Sequence, residues 1–97
     1  MYYIILCINN IMNNLVVEFL GTAFLIFIVL ALGEPMAIGL ALTIAILIGG
    51  HISGGHFNPV VSVVMAMSGK LSMKNLAPYV LAQIFGGLSA LELFRRV

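Results

Sequence analysis

The chain has 97 residues, 63% of them hydrophobic and only 7% charged, with no tryptophan and a net charge of +1. Together with a strongly positive mean hydropathy, this excludes a soluble domain and identifies an integral, multi-pass membrane protein, with the cell membrane as its expected location. Four cations split between two places offer no patch for nucleic acid, and the lone Cys7 excludes both a disulfide framework and a multi-cysteine metal site.

Residues 1–14 form an N-terminal extension. The apolar patch Tyr2 to Ile8 is too short to span a bilayer and has no positive residue ahead of it, as a secretory signal would. It reads as non-essential: either Met12 is the native start, or Tyr2 and Tyr3 anchor the segment at the membrane interface. Asn9, Asn10, Asn13 and Asn14 mark the expected aqueous boundary of the first span.

Leu15 to Leu32 is apolar, close to the roughly 20 residues needed to cross about 30 Å of hydrocarbon, and holds one charge, Glu18. A carboxylate inside a span must face the protein interior and find donors there. Gly33-Glu34-Pro35 is a compact turn, so the second span, Met36 to about Gly50, runs antiparallel to the first. Along it Ala37, Ala41, Ala45 and Gly49 recur at intervals of four, a face on which another helix backbone can approach closely.

The stretch His51 to Val60 breaks the apolar pattern with a polar, glycine-rich loop. Asn58 has the short side chain that caps a helix N-terminus, and Pro59 suits the first helical position. The helix that follows, about ten residues to Ser68, is roughly 15 Å long, half a bilayer. Irregular backbone at membrane depth is tolerated only when it is buried in protein or lines a wet cavity. Gly69-Lys70 returns the chain to water, Ser72 is a candidate cap, and the last span runs from about Met73 to Phe94. It carries a second small-residue face at Ala82, Gly86 and Ala90.

The expected fold is therefore an all-α membrane protein: three transmembrane helices, over about 15–32, 36–50 and 73–94, with a re-entrant loop and half-helix over 51–68. This order, with Ser53-Gly54-Gly55-His56-Phe57-Asn58-Pro59, resembles the aquaporin or major intrinsic protein family at its first Asn-Pro-Ala box. Glu18-Phe19-Leu20-Gly21-Thr22 is similar to the family's first-helix signature, Gly39-Leu40-Ala41-Leu42 to its second helix and Tyr79-x-x-Ala82-Gln83-x-x-Gly86 to its third. Ser62 matches the Ser or Thr after the box.

The resemblance implies a passive channel for water and small neutral solutes rather than an enzyme, with no cofactor. Full-length members carry two inverted halves, and residues 15–97 resemble one half-repeat. The expected partners beyond the lipid bilayer are a second copy inserted upside down, giving a homo-oligomer, or a full-length aquaporin, with which a non-conducting half-repeat would pair. Lys70 and Lys74 on one side against Arg95 and Arg96 on the other give the positive-inside rule little to act on.

In that reading the pore is lined by Asn58, Pro59, Val60, His56, Gly55, Gly54, Ser53 and His51, with Ile38 at the second-helix filter position, where water-selective members carry an aromatic ring. Glycerol, urea or ammonia are then expected to pass alongside water. Val60 in place of the family's alanine predicts crowding at the half-helix junction, at a cost of roughly 1 to 3 kcal/mol unless its neighbours are smaller. Glu18 and Gln83 are expected to brace the loop's backbone; as intramembrane polar groups they are also candidates for a proton relay.

The remaining residues admit blander readings. His51 and His56 are five apart with no third ligand nearby, so a metal site is not expected, whereas a titrating gate at the pore mouth is conceivable for either. Ser53 near a histidine lacks an acidic residue to orient a hydrolase triad. The six methionines read as packing.

Overall fold

In the computed structural model, which describes residues 1–97, four helices follow one another with no strand: α1 (Tyr2–Ala31), α2 (Pro35–Ser53), α3 (Pro59–Met67) and α4 (Met73–Arg96). Three of them, α1, α2 and α4, are long and apolar enough to cross a membrane. α3, at nine residues, extends only about 13 Å.

The first helix begins earlier than the sequence suggests. The asparagines at 9, 10, 13 and 14 lie within α1 instead of bounding it, because no proline or glycine interrupts the backbone ladder from Ile5 N–H to Met1 C=O onward. With its amide turned so that nitrogen faces the two carbonyls, Asn14 donates to Asn10 C=O at 3.0 Å and to Ile52 C=O at 2.8 Å. Asn14 thereby ties α1 to the end of α2.

Between α1 and α2, Gly33 adopts a left-handed φ of +60°, and the Glu34 carboxylate caps α2 by accepting from Met36 N–H at 3.0 Å and Ala37 N–H at 2.9 Å. α2 runs past Gly50 and includes His51, Ile52 and Ser53, ending where Gly54 turns left-handed. Two glycines at 49 and 50 do not stop a helix whose face is packed; it ends at Gly54, where glycine takes the left-handed conformation without a steric penalty. Ser72 occupies the N-cap of α4, but its side chain makes no capping hydrogen bond.

α1 is the central element. α2 packs antiparallel to it, with Gly49 opposite Val17, and α4 packs parallel to it, with Gly86 opposite Phe19 and the Phe27 and Phe94 rings 6.2 Å apart; α3 packs on α4. A Cβ at Gly86 would collide with the Phe19 carbonyl oxygen, and one at Gly49 would come within 2.5 Å of Val17 Cγ1. Of the small residues, Ala41, Ala45, Gly49, Gly86 and Ala90 are buried, whereas Ala37 and Ala82 are half-buried.

Only 14 residues are buried, six of them polar or charged, and most of the long aliphatic side chains face outward. That is the inverse of a water-soluble core. In lipid there is no hydrophobic gain from bringing helices together, so close packing of small residues and internal hydrogen bonds hold the bundle.

Candidate functional site

The loop 54–58 is held from inside by one carboxylate. Glu18, fully buried on α1, accepts four hydrogen bonds: Oε2 from Ser53 Oγ at 2.7 Å and His56 N–H at 3.1 Å, and Oε1 from Phe57 N–H at 2.8 Å and Gln83 Nε2 at 2.8 Å. Four donors match the lone-pair sites of a carboxylate, so taking Glu18 out of water leaves none of its acceptor capacity idle. Two of the donors are main-chain N–H groups of an irregular loop, which no helix ladder could satisfy.

From this anchor the orientation of an amide follows. Gln83 must turn its amide nitrogen toward Glu18, and the second hydrogen reaches Ser62 Oγ at 2.8 Å. Ser62 Oγ and His56 Nδ1 are likewise 2.8 Å apart, a hydrogen bond whose direction depends on the His56 tautomer. Tyr79 packs its ring 5.2 Å from that of His56 and donates from its hydroxyl to Ser53 C=O at 2.6 Å.

The backbone of the loop is left-handed at Gly54, Gly55 and Phe57, with φ values of +93°, +66° and +53°. For Phe57 this conformation costs about 1–2 kcal/mol. The bond from its N–H to Glu18 and the burial of its ring between the glycine faces of α1 and α2 offset that cost: a Cβ at Gly21 would overlap the ring, and one at Gly49 would sit 3.6 Å from Cζ. Gly21 is thus the socket for Phe57.

Beyond the loop, Asn58 caps α3 with its Oδ1, which accepts from Val60 N–H at 2.7 Å, and its side-chain nitrogen has no protein partner. Asn58 and Pro59 stand in a groove of about 370 Å³ between α1 and α4, walled by Thr22, Leu25 and Ile26 on one side and by Gln83, Ile84, Gly87 and Leu88 on the other. These wall residues lie in the last third of α1 and near the middle of α4. The Gly54, Gly55 and His56 carbonyls have no protein donor, whereas the Ser53 carbonyl accepts from Tyr79.

The structure brings Glu18, Ser53, His56, Ser62, Tyr79 and Gln83 into one connected network and leaves other sequence candidates outside it. His51 belongs to the last turn of α2 and is exposed, because the helix continues through it. Ile38 lies in the first turn of α2, fifteen residues before Ser53, which along a helix is about 22 Å. Val60 is 69% exposed, so the crowding expected of its extra methyls does not arise within this chain. Gln83 reaches Glu18 and Ser62 rather than the loop backbone; the His56 and Phe57 N–H groups go to Glu18 and the Gly55 N–H to Ser53 Oγ.

Two members of the network, Ser62 and Tyr79, and the socket Gly21 were marked in the sequence only as matches to the family's signatures, with no role attached. Spacing also marked Tyr79, which lies four residues before Gln83, so the two share a face of an otherwise apolar helix. Ser62, four residues after Asn58, lies on the face that begins at the cap.

Comparison with known proteins gives a family model, Major intrinsic protein, matching residues 7–97. Glycerol uptake facilitator protein-like 6 of Lactiplantibacillus plantarum is 40% identical over 88 residues, covering 81% of this chain and 41% of that protein. Aquaporin Z of Brucella melitensis is 42% identical over 95 residues, with the same two coverages. Aquaporin-8 of Notomys alexis is 45% identical over 84 residues, covering 75% of this chain and 32% of its own length. The chain thus spans about a third to two fifths of the length of these relatives. No solved structure gives a significant match.

Proposed function

The chain belongs to the major intrinsic protein family, and from that premise we propose that it supplies one half of a passive channel for water and small neutral solutes. In this reading α3 is a half-helix that re-enters the membrane: Asn58 stands at the level of Thr22 and Gly87, near mid-bilayer, and the chain returns through α3 to the side of Lys70.

The observation that carries the reading is the divided use of Asn58, whose oxygen caps α3 while its amide hydrogens stay free in the groove. Those hydrogens would donate to the oxygen of a passing water or alcohol. Behind them, the aligned peptides of α3 place roughly half a positive charge at the same point, which repels cations. The unpaired carbonyls of Gly54, Gly55 and His56 would serve as acceptors along the approach, a donor–acceptor sequence suited to neutral hydrogen-bonding solutes. With Ile38 in place of an aromatic ring, glycerol, urea or ammonia would be admitted as well as water.

A second half-repeat would cover the open side of the groove and the exposed N-terminus of α3. We propose a second copy of this chain, inserted with opposite orientation, as the simplest supplier. Stopped-flow swelling of proteoliposomes holding only this chain, with water and with glycerol, tests conduction. Wild type should exceed empty liposomes and Asn58→Ala should fall toward them; equal rates for the two proteins would remove Asn58 from the mechanism. Reporters fused to the C-terminus should signal from both sides of the membrane, and one location only would rule out the inverted pair.

A further inference from the structure

At the end of the bundle opposite the α1–α2 turn, the N-terminal extension of α1 and the start of α4 enclose a partly open cavity of about 320 Å³, at the small end of the range for ligand sites. It is lined by Asn10, Asn14, Lys74 and Asn75, with Cys7, Ile8 and Ile11 completing the wall. Asn14 is occupied, its amide serving Asn10 C=O and Ile52 C=O. Lys74, Asn10 and Asn75 form no side-chain hydrogen bond or ion pair within the protein. The cavity therefore offers one cation and two amides, and no carboxylate lines it.

The distribution of acids makes this end electrically distinct. Of the three carboxylates, Glu18 is consumed in the buried network, and Glu34 and Glu92 both lie at the far end, where Glu92 pairs with Arg95 and Arg96. The far end is neutral overall. Lys70 and Lys74 at the near end have no carboxylate to face.

Depth supplies the remaining argument. α1 is 30 residues, about 45 Å, against about 30 Å of hydrocarbon, so roughly its first three turns must project into the headgroup layer. Those turns begin with exposed Tyr2 and Tyr3, side chains suited to an interface. The cavity, bounded by residues 7 to 14 of that helix, lies at the level of the lipid phosphates.

We infer that this cavity is a binding site for the phosphate of an anionic phospholipid, held by Lys74 and by the amides of Asn10 and Asn75, with the acyl chains running down the apolar flank of α1. The inference requires only that α1 and α4 cross a bilayer, and stands or falls independently of conduction. Native mass spectrometry of the protein released from micelles doped with phosphatidylglycerol or phosphatidylcholine reads it directly. Wild type should retain phosphatidylglycerol in preference to phosphatidylcholine, and Lys74→Gln should lower that preference about fivefold, the effect of one cation at an anionic surface. Asn75→Ala, which leaves the charge in place, should lower it less, and Arg95→Gln at the far end should not change it.

Circular dichroism verifies that each variant is folded. Equal loss in Lys74→Gln and Arg95→Gln would mean diffuse attraction and would overturn the site, as would unchanged retention in Lys74→Gln. Displacement of the lipid by millimolar inorganic phosphate would assign the cavity to a free anion and overturn the lipid reading.

Discussion

Replacing Glu18 by Gln keeps the shape of the side chain and exchanges one acceptor oxygen for a donor. If the new nitrogen takes the place of Oε2, Ser53 can rotate its hydroxyl to accept, but His56 N–H cannot and is left facing another donor. If it replaces Oε1, Phe57 N–H and the Gln83 amide are the ones confronted. Either orientation orphans at least one buried main-chain N–H, at about 1–3 kcal/mol, and weakens the remaining bonds, each stronger to a carboxylate than to an amide by roughly 1 kcal/mol. The sum is about 3–5 kcal/mol, a large part of the stability of a small domain. Equilibrium unfolding in mixed micelles by SDS titration, followed by far-ultraviolet circular dichroism, measures it. Ser53→Ala, which removes one donor to Glu18 and the acceptor of the Gly55 N–H, should cost less, about 2 kcal/mol. A loss below about 1 kcal/mol for Glu18→Gln would refute the assignment of Glu18 as the anchor of the loop.

Two glycines should respond to the same substitution with opposite sign. Gly86→Ala would drive a methyl into the Phe19 backbone and separate α1 from α4, costing about 1–3 kcal/mol in the same titration, whereas Gly39→Ala meets nothing within 4 Å and should be neutral or gain up to about 1 kcal/mol from helix propensity. Val60→Ala should change the stability of the isolated chain by less than about 0.5 kcal/mol, because the side chain is exposed there. The Glu34 carboxyl is held below its ordinary 4.5 by the Met36 and Ala37 N–H groups it caps. Its depressed value means that the cap contributes fully above about pH 4.5 and is lost as the pH falls through the folded value. Amide exchange at Met36 and Ala37, corrected for intrinsic rates, should therefore lose protection below pH 4.5 in the wild type and be pH-independent in Glu34→Gln.

Much of the architecture was legible in the residues because the bilayer imposes a strict composition on whatever crosses it. Apolar runs, the Gly33-Glu34-Pro35 turn and the Asn58-Pro59 helix start are local signals, and the helices begin or end within a few residues of them. Helix ends were less legible where nothing local stops a helix. The asparagines at 9 to 14 and the glycines at 49 and 50 read as boundaries, yet a helix passes through both, since its ladder continues unless a partner or a left-handed residue ends it.

Composition and spacing by themselves determined that this chain lives in a membrane, that Glu18 must find donors inside it, and that a helix starts at Asn58. Only the tertiary structure decided which donors Glu18 finds. His56 and Phe57 lie 38 and 39 residues away and Gln83 lies 65 away; the packing of α2 on α1 brings the first two to Glu18 and the parallel packing of α4 brings the third. The same packing gave Ser62 and Tyr79 their places and left Val60, His51 and Ile38 outside the network. A carboxylate in a low-dielectric interior makes a demand that its own helix cannot meet, so the demand is visible in sequence and the answer appears only when the helices come together.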